Sequence, residues 1–224
     1  MSLPFTTDQF LDVFARYNIA VWPTQLVFYL LGVLSIVVAV RPARWSSRII
    51  NLILSMFWLW MGVAYHFLFF SKINQAAWLF GAIFILQSLI FIYAGVITGK
   101  ISFHSRRDVY GIGGAVILAY AFIVYPALGY VVGHKYPAAP TFGLPCPTTI
   151  FTFGILLWAK PIVPGYVLIV PLVWSVIGFF AALSLNIPED VGLLAVGIAG
   201  TMLIVLRNTR ARAALDTNGK RNLR

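Results

Sequence analysis

At 224 residues, with 61% hydrophobic and 10% charged side chains, the chain departs from soluble domains, where roughly 45 to 50% apolar and 25% charged residues are usual. A globule of this length could not hide so much apolar surface from water, so lipid is the predicted solvent. The net charge of +10 does not imply nucleic acid, because Lys and Arg sit between apolar runs and in the C-terminal tail, and the single cysteine, Cys146, rules out an intramolecular disulfide.

The first apolar run has no basic segment ahead of it and ends at Arg41 rather than at a small-residue cleavage site, so no removable signal peptide is expected. Residues 7–19 put Phe10, Val13, Phe14 and Tyr17 on one helical side and Asp8, Asp12 and Arg16 on the other, with Thr7 placed as N-cap. This predicts a short helix that either lies in the membrane interface or caps the bundle. Apolar stretches follow at 22–40, 49–70, 76–98, 109–133, 147–159, 165–186 and 191–206. Trp22, Trp45, Trp78, Tyr110, Tyr136, Trp158 and Tyr166 fall near their ends, where amphipathic rings favour the headgroup layer. The predicted fold class is all-α, a polytopic membrane bundle of about seven transmembrane helices. It divides into an interfacial amphipathic helix over 1–21, a transmembrane domain over 22–206 and a basic, disordered cytoplasmic tail over 207–224.

Charge sets the expected orientation. With the N-terminus outside, the inner segments hold Arg41, Arg44, Arg48, Lys100, Arg106, Arg107, Lys160 and every basic residue from Arg207 onward, leaving only Arg16, Lys72 and Lys135 outside. A weak internal match, Pro23–Tyr29 over Pro147–Phe153 and Trp60–Ile73 over Trp174–Ile187, reads as 3+1+3 parallel repeats, one known way to build a transporter.

All six acids, Asp8, Asp12, Asp108, Glu189, Asp190 and Asp216, fall in loops, in the tail or at span ends, so a carboxylate relay at mid-membrane is not expected. Glu189 and Asp190 read as partners of the positive N-terminus of the last span. That span carries no lysine for a retinal Schiff base. Gln87, in the middle of the third span, is either hydrogen-bonding glue between helices or a solute contact, and Gly81, Ser88 and Gly95 on its face invite a close neighbour. His66, Asn74, His134 and the Pro-rich segment 137–147 gather toward the outer side. There His66, His134, Cys146 and Glu189 are the candidate ligands for a zinc or copper ion, although no two have a ligand spacing. The segment 137–147 cannot be helical, and the stretch after it is only about 20 Å long against a core of about 30 Å. It is therefore either a rigid lid or a dipping loop in which Thr148 and Thr149 cap a helix start whose free amides face a cavity. No nucleophile motif or phosphate loop is present, so the sequence gives enzyme activity no positive support and names no cofactor.

The segment Pro140-Thr141-Phe142-Gly143-Leu144-Pro145-Cys146-Pro147-Thr148-Thr149-Ile150-Phe151-Thr152-Phe153-Gly154, the opening Leu3–Phe10 and the run His66–Asn74 together resemble an uncharacterised family of bacterial multi-pass membrane proteins, a domain of unknown function. The resemblance implies a bacterial inner membrane and no known activity. In topology alone the chain is similar to the SWEET sugar transporters, from which it departs because Pro23, Pro147 and Pro171 do not form two matching sets. The leading expectation is a permease-like bundle for a small neutral or weakly polar solute. Its outward cavity is expected to be walled by spans 1, 2, 3 and 5 and bounded by His66, Asn74, Gln87, His134 and Thr148. The alternatives are an accessory or assembly subunit bound to a membrane-protein partner, and metal-ion handling on the periplasmic side.

Overall fold

The computed structural model of the chain describes residues 4–160 and 162–221, with backbone alone for 218–221. Lys220 and Arg221, counted above toward orientation, are thus seen without side chains, and Leu3 and Arg224 lie outside the described residues. The described residues form eight helices: α1 (Thr7–Ala20), α2 (Thr24–Val40), α3 (Ser46–Lys72), α4 (Ala77–Ile97), α5 (Val109–Val131), α6 (Pro145–Leu157), α7 (Tyr166–Leu185) and α8 (Val191–Arg221). A single 3-10 turn, Pro188–Asp190, leads into α8.

Hydrogen bonds between loops show which helix ends lie together. The Ser105 amide donates to Ala39 O at 2.9 Å, Lys160 N to Ser102 O at 2.6 Å, Asn51 Nδ2 to Ile101 O at 3.0 Å and Ile162 N to Asn208 Oδ1 at 3.0 Å. This is the basic end, with Arg41, Arg44, Arg48, Lys100, Arg106, Arg107 and Lys160 in or beside its loops. At the opposite end Asn18 Nδ2 donates to Pro137 O (2.7 Å) and Ala139 O (2.8 Å), and Thr7 Oγ1 to Leu185 O (3.1 Å). From α2 to α8 the helices therefore run alternately between the two ends, and the apolar stretches of the sequence are α2 to α8 in order.

The seven apolar helices are not alike in length. Five helices, α3, α4, α5, α7 and α8, are long and apolar enough to cross a membrane, and α1 with α2 makes a sixth only as a pair bent by 85°. The exception is α6, with 13 residues. At about 1.5 Å per residue it covers roughly two thirds of a bilayer core. All but one of its residues are buried, so the backbone around it is screened from lipid by the other helices. Its proposed repeat partner α2 is unlike it, with Leu26, Leu30, Val33 and Val37 all exposed. The segment expected to be a disordered tail continues as helix, since α8 runs on to Arg221.

α3 and α4 pack closely because small residues face each other. A Cβ on Gly62 would meet Gly81 O at 2.8 Å, Ser55 Oγ and Ser88 Oγ are 2.8 Å apart, and the Asn51 side chain occupies the space over Gly95. The stripe Gly81, Ser88, Gly95 thus faces α3. Three π-helical stretches widen these rods, at Met61–Phe69, Ile92–Ile97 and Tyr120–Val124. The last, in α5, ends two residues before Pro126, whose missing N–H and bulky ring an ordinary turn would not accommodate.

Gln87 has a defined partner. Pro171 inside α7 cannot donate to the carbonyl of Val167 four residues earlier, and Gln87 Nε2 on α4 supplies that donor at 3.0 Å. The amide thus joins α4 to α7 through Nε2, while its Oε1 has no partner among the described residues. Gln87→Ala is expected to lower stability in detergent by about 1 kcal/mol, and the loss should shrink in a Pro171→Ala background, where residue 171 regains its N–H. Thermal unfolding of the single and double variants measures this, and strictly additive losses would contradict the pairing.

Candidate functional site

The short α6 leaves space between its N-terminus and the end of the bundle opposite the basic loops. Part is filled by the loop 132–144 and part by α1, which lies across that end. The aromatic face of α1 packs on α3: Phe10 and Phe14 stack edge-on at 4.6 Å, Phe10 meets Phe70 at 5.8 Å, and Tyr17 meets Tyr65 at 5.8 Å. Trp60 Nε1 donates to the Tyr17 hydroxyl at 2.7 Å. The N-terminal helix thus sits on the bundle, with its acidic side exposed. Thr6, one residue earlier than expected, is its N-cap and forms a capping box with Gln9.

What remains is a cavity of about 570 Å³ lined by α1, α3, the start of α4, the N-terminus of α6, and α7. The walls are aromatic and aliphatic: Phe5, Phe10, Phe14, Tyr65, Phe70, Phe80 and Trp174 supply rings, and Ile177, Ala181 and Ala182 complete the α7 side. Val176, Phe180 and Ser184, four residues apart on α7, line it while also facing outward, with Phe180 60% exposed. The cavity therefore opens sideways along the apolar flank of α7. The expected walls were spans 1, 2, 3 and 5; the structure replaces span 1 with the α1 helix and adds α7, because α2 lies on the periphery.

One carboxylate reaches this cavity. Asp190 lines it and is only 3% exposed, Tyr125 on α5 donates its hydroxyl to Oδ1, and the half-buried Cys146 thiol lies against it. Its neighbour Glu189 is fully buried and pairs with His134 Nδ1 at 2.6 Å, its other oxygen having no partner among the described residues. Tyr120 donates to the Glu189 carbonyl at 3.2 Å. The sequence reading placed both acids at a span end facing the helix dipole. They do begin α8, but the loop 132–144 and α5 close over them. Asn186 in the left-handed conformation (φ 54°) and the tight 3-10 turn aim both side chains inward. Nothing local in the sequence marks this depth, which depends on partners some 45 to 65 residues away.

Of the predicted binding residues only Asn74 lines the cavity, and its Oδ1 already accepts from the Ala76 amide at 3.0 Å. Gln87 lies deeper, on Val167. His66 is fully buried behind the cavity wall, ringed by Tyr65, Phe70, Phe80, Phe84 and Trp174, with both nitrogens unpartnered among the described residues. Thr148 Oγ1 accepts from the Gly143 amide at 3.1 Å and so holds the loop. The expected row of free amides at this helix start is absent. Leu144 is the N-cap, without a side-chain cap bond, and Pro145 and Pro147 have no N–H.

The proposed metal ligands fall in three places. His134 and Glu189 meet, Cys146 instead faces Asp190, and His66 sits within its aromatic ring. Among the described residues no three of His, Cys, Asp and Glu form a metal-holding group. At the other end of α6, Arg207 was read from sequence as a tail cation. It is 2% exposed, and its Nη1 donates to Leu156 O (3.3 Å), Leu157 O (2.8 Å) and Ala159 O (2.9 Å), carbonyls at and just beyond the C-terminus of α6.

Cys146 is the sole thiol of the chain, and it reports on the cavity directly. At mildly alkaline pH, where more thiolate forms, a small apolar maleimide is expected to label it slowly, and Ala181→Phe, which fills the space, should slow labelling about tenfold or more again. Equal rates in the two proteins would show that the cavity is not the route to the thiol.

A family model described as a family of unknown function (DUF6064) matches residues 7–215. No curated protein and no solved structure matches the chain.

Proposed function

The chain belongs to the DUF6064 family, and we propose that it is a permease-like membrane protein binding a small, weakly polar amphiphile in the cavity above α6. The observation that carries this reading is the shape and lining of that cavity: about 570 Å³, aromatic-walled, closed below by α6 and open along the exposed α7 stripe. Access from the apolar flank suits a molecule that partitions into lipid before it binds. Toward the basic end the way is blocked by the buried residues Ile150 to Leu157, so the arrangement corresponds to a state open on one side only. We place the basic end in the cytoplasm, since the Lys and Arg bias favours it and the loops that carry the bias lie together.

An accessory-subunit reading draws on Gln87 and His66, which are both enclosed in helix contacts. It leaves unexplained why a cavity of ligand size is kept beside them.

Sugars are poor candidates, because an apolar wall cannot replace the hydrogen bonds that several hydroxyls lose on leaving water. In lipid nanodiscs, phenylbutanol is expected to protect Cys146 from maleimide and glucose is not. Protection by phenylbutanol should disappear in Ala181→Phe. No protection by any phenylalkyl compound would sink the reading.

A further inference from the structure

An uncharged apolar molecule crosses a bilayer unaided, so a protein that handles an amphiphile must recognise something besides the apolar body. The charges around the cavity say what. Among the described lining residues Asp190 is the only carboxylate, and no Lys, Arg or His lines the space. The nearby histidine, His134, is already engaged with Glu189 at 2.6 Å. The basic residues at this end of the bundle are also directed elsewhere, Arg16 to Asp12 at 2.7 Å, Lys72 over the Phe69 ring at 5.4 Å and Lys135 over the Tyr130 ring at 5.3 Å. Asp190 therefore has a hydroxyl donor, Tyr125, and an adjacent thiol, but no basic side chain. Buried carboxylates are ordinarily paired with a cation, so the missing basic group is informative.

The surrounding rings supply the rest of the recognition. Aromatic faces attract a cation through their quadrupoles as well as packing against an apolar body, and this cavity is walled by Phe5, Phe10, Phe14, Tyr65, Phe70 and Trp174. An aromatic-lined, lipid-accessible cavity with one unmatched acid is complementary to a protonated alkyl or arylalkyl amine. An anion would meet Asp190 with like charge, and a neutral molecule would leave it unmatched.

We propose that the ligand of this site is an amphiphilic organic cation, its ammonium group on the Asp190 carboxylate and its apolar body among the aromatic rings of α1 and α3. This rests on the cavity reading above and narrows it from weakly polar molecules to hydrophobic amines.

Three compounds of one shape separate the possibilities: phenylbutylamine, the uncharged pentylbenzene and the anionic phenylpentanoate. Each is scored by the membrane concentration that half-protects Cys146 from maleimide in nanodiscs holding the full chain. The amine is expected to protect at about a tenfold lower concentration than pentylbenzene or less, with the anion weakest. In Asp190→Asn the amine should fall to the level of pentylbenzene, while protection by pentylbenzene persists and shows that the cavity is still formed. Equal protection by amine and pentylbenzene in the unaltered protein, or an amine preference that survives Asp190→Asn, overturns the assignment and leaves the cavity reading standing. If none of the three protects, the cavity reading falls as well.

Discussion

A helix of 13 residues placed within a bilayer-spanning bundle has no water or lipid able to satisfy its ends, and α6 is such a helix. The chain solves this in opposite ways at its two termini. At the start, proline at two of the first three positions removes donors that would otherwise be orphaned. At the finish, the Arg207 guanidinium donates to three carbonyls. A charge this deeply buried would be costly alone, and the negative end of the helix dipole together with those carbonyls offsets part of the cost, Nε and Nη2 having no partner among the described residues.

The rest of the arrangement follows from that short rod. Because α6 stops well below one end of the bundle, the loop 132–144 dips and α1 folds across at 85° to α2. These covers do not fill the space completely, and the remainder is the aromatic cavity. They also enclose the α7–α8 turn, which turns two acids at a span end into buried groups. Glu189 is matched by His134, while Asp190 has a tyrosine, a thiol and the N-terminal end of α8 but no basic side chain. The shortness of α6 thus connects the Pro-rich segment of the sequence to a ligand-sized space and to the one carboxylate that faces it.

Much of the bundle was legible in the sequence because apolar runs and basic loops are local signals: each of the seven stretches is a helix, and the basic loops share one end. The shortness of α6 was legible too, but its start was not: the segment 137–147 was expected to be non-helical throughout, whereas the helix begins at Pro145, because proline is accepted in a first turn whose N–H groups have no partner. Other features depend on distant partners and could not be read. Gln87 was placed correctly at a helix contact, but its acceptor, the Val167 carbonyl released by Pro171, lies 80 residues away. Arg207 looks like any tail cation until its contacts with Leu156, Leu157 and Ala159 are seen. Asp190 looks like a dipole partner until the covering loop is in place. His66 and Thr148 were chosen for their chemistry, yet one is surrounded by rings and the other bonds its own loop. Residue type alone does not give those surroundings.

The anchoring of α6 is tested most directly by amide hydrogen exchange in lipid nanodiscs, comparing the unaltered protein with Arg207→Met. The peptide spanning 145–159 is predicted to be among the slowest to exchange in the unaltered protein, and to speed up selectively toward its Leu156–Ala159 end when the guanidinium is removed. Exchange in that peptide as fast as in the loop 132–144, or no change in the variant, would contradict the account.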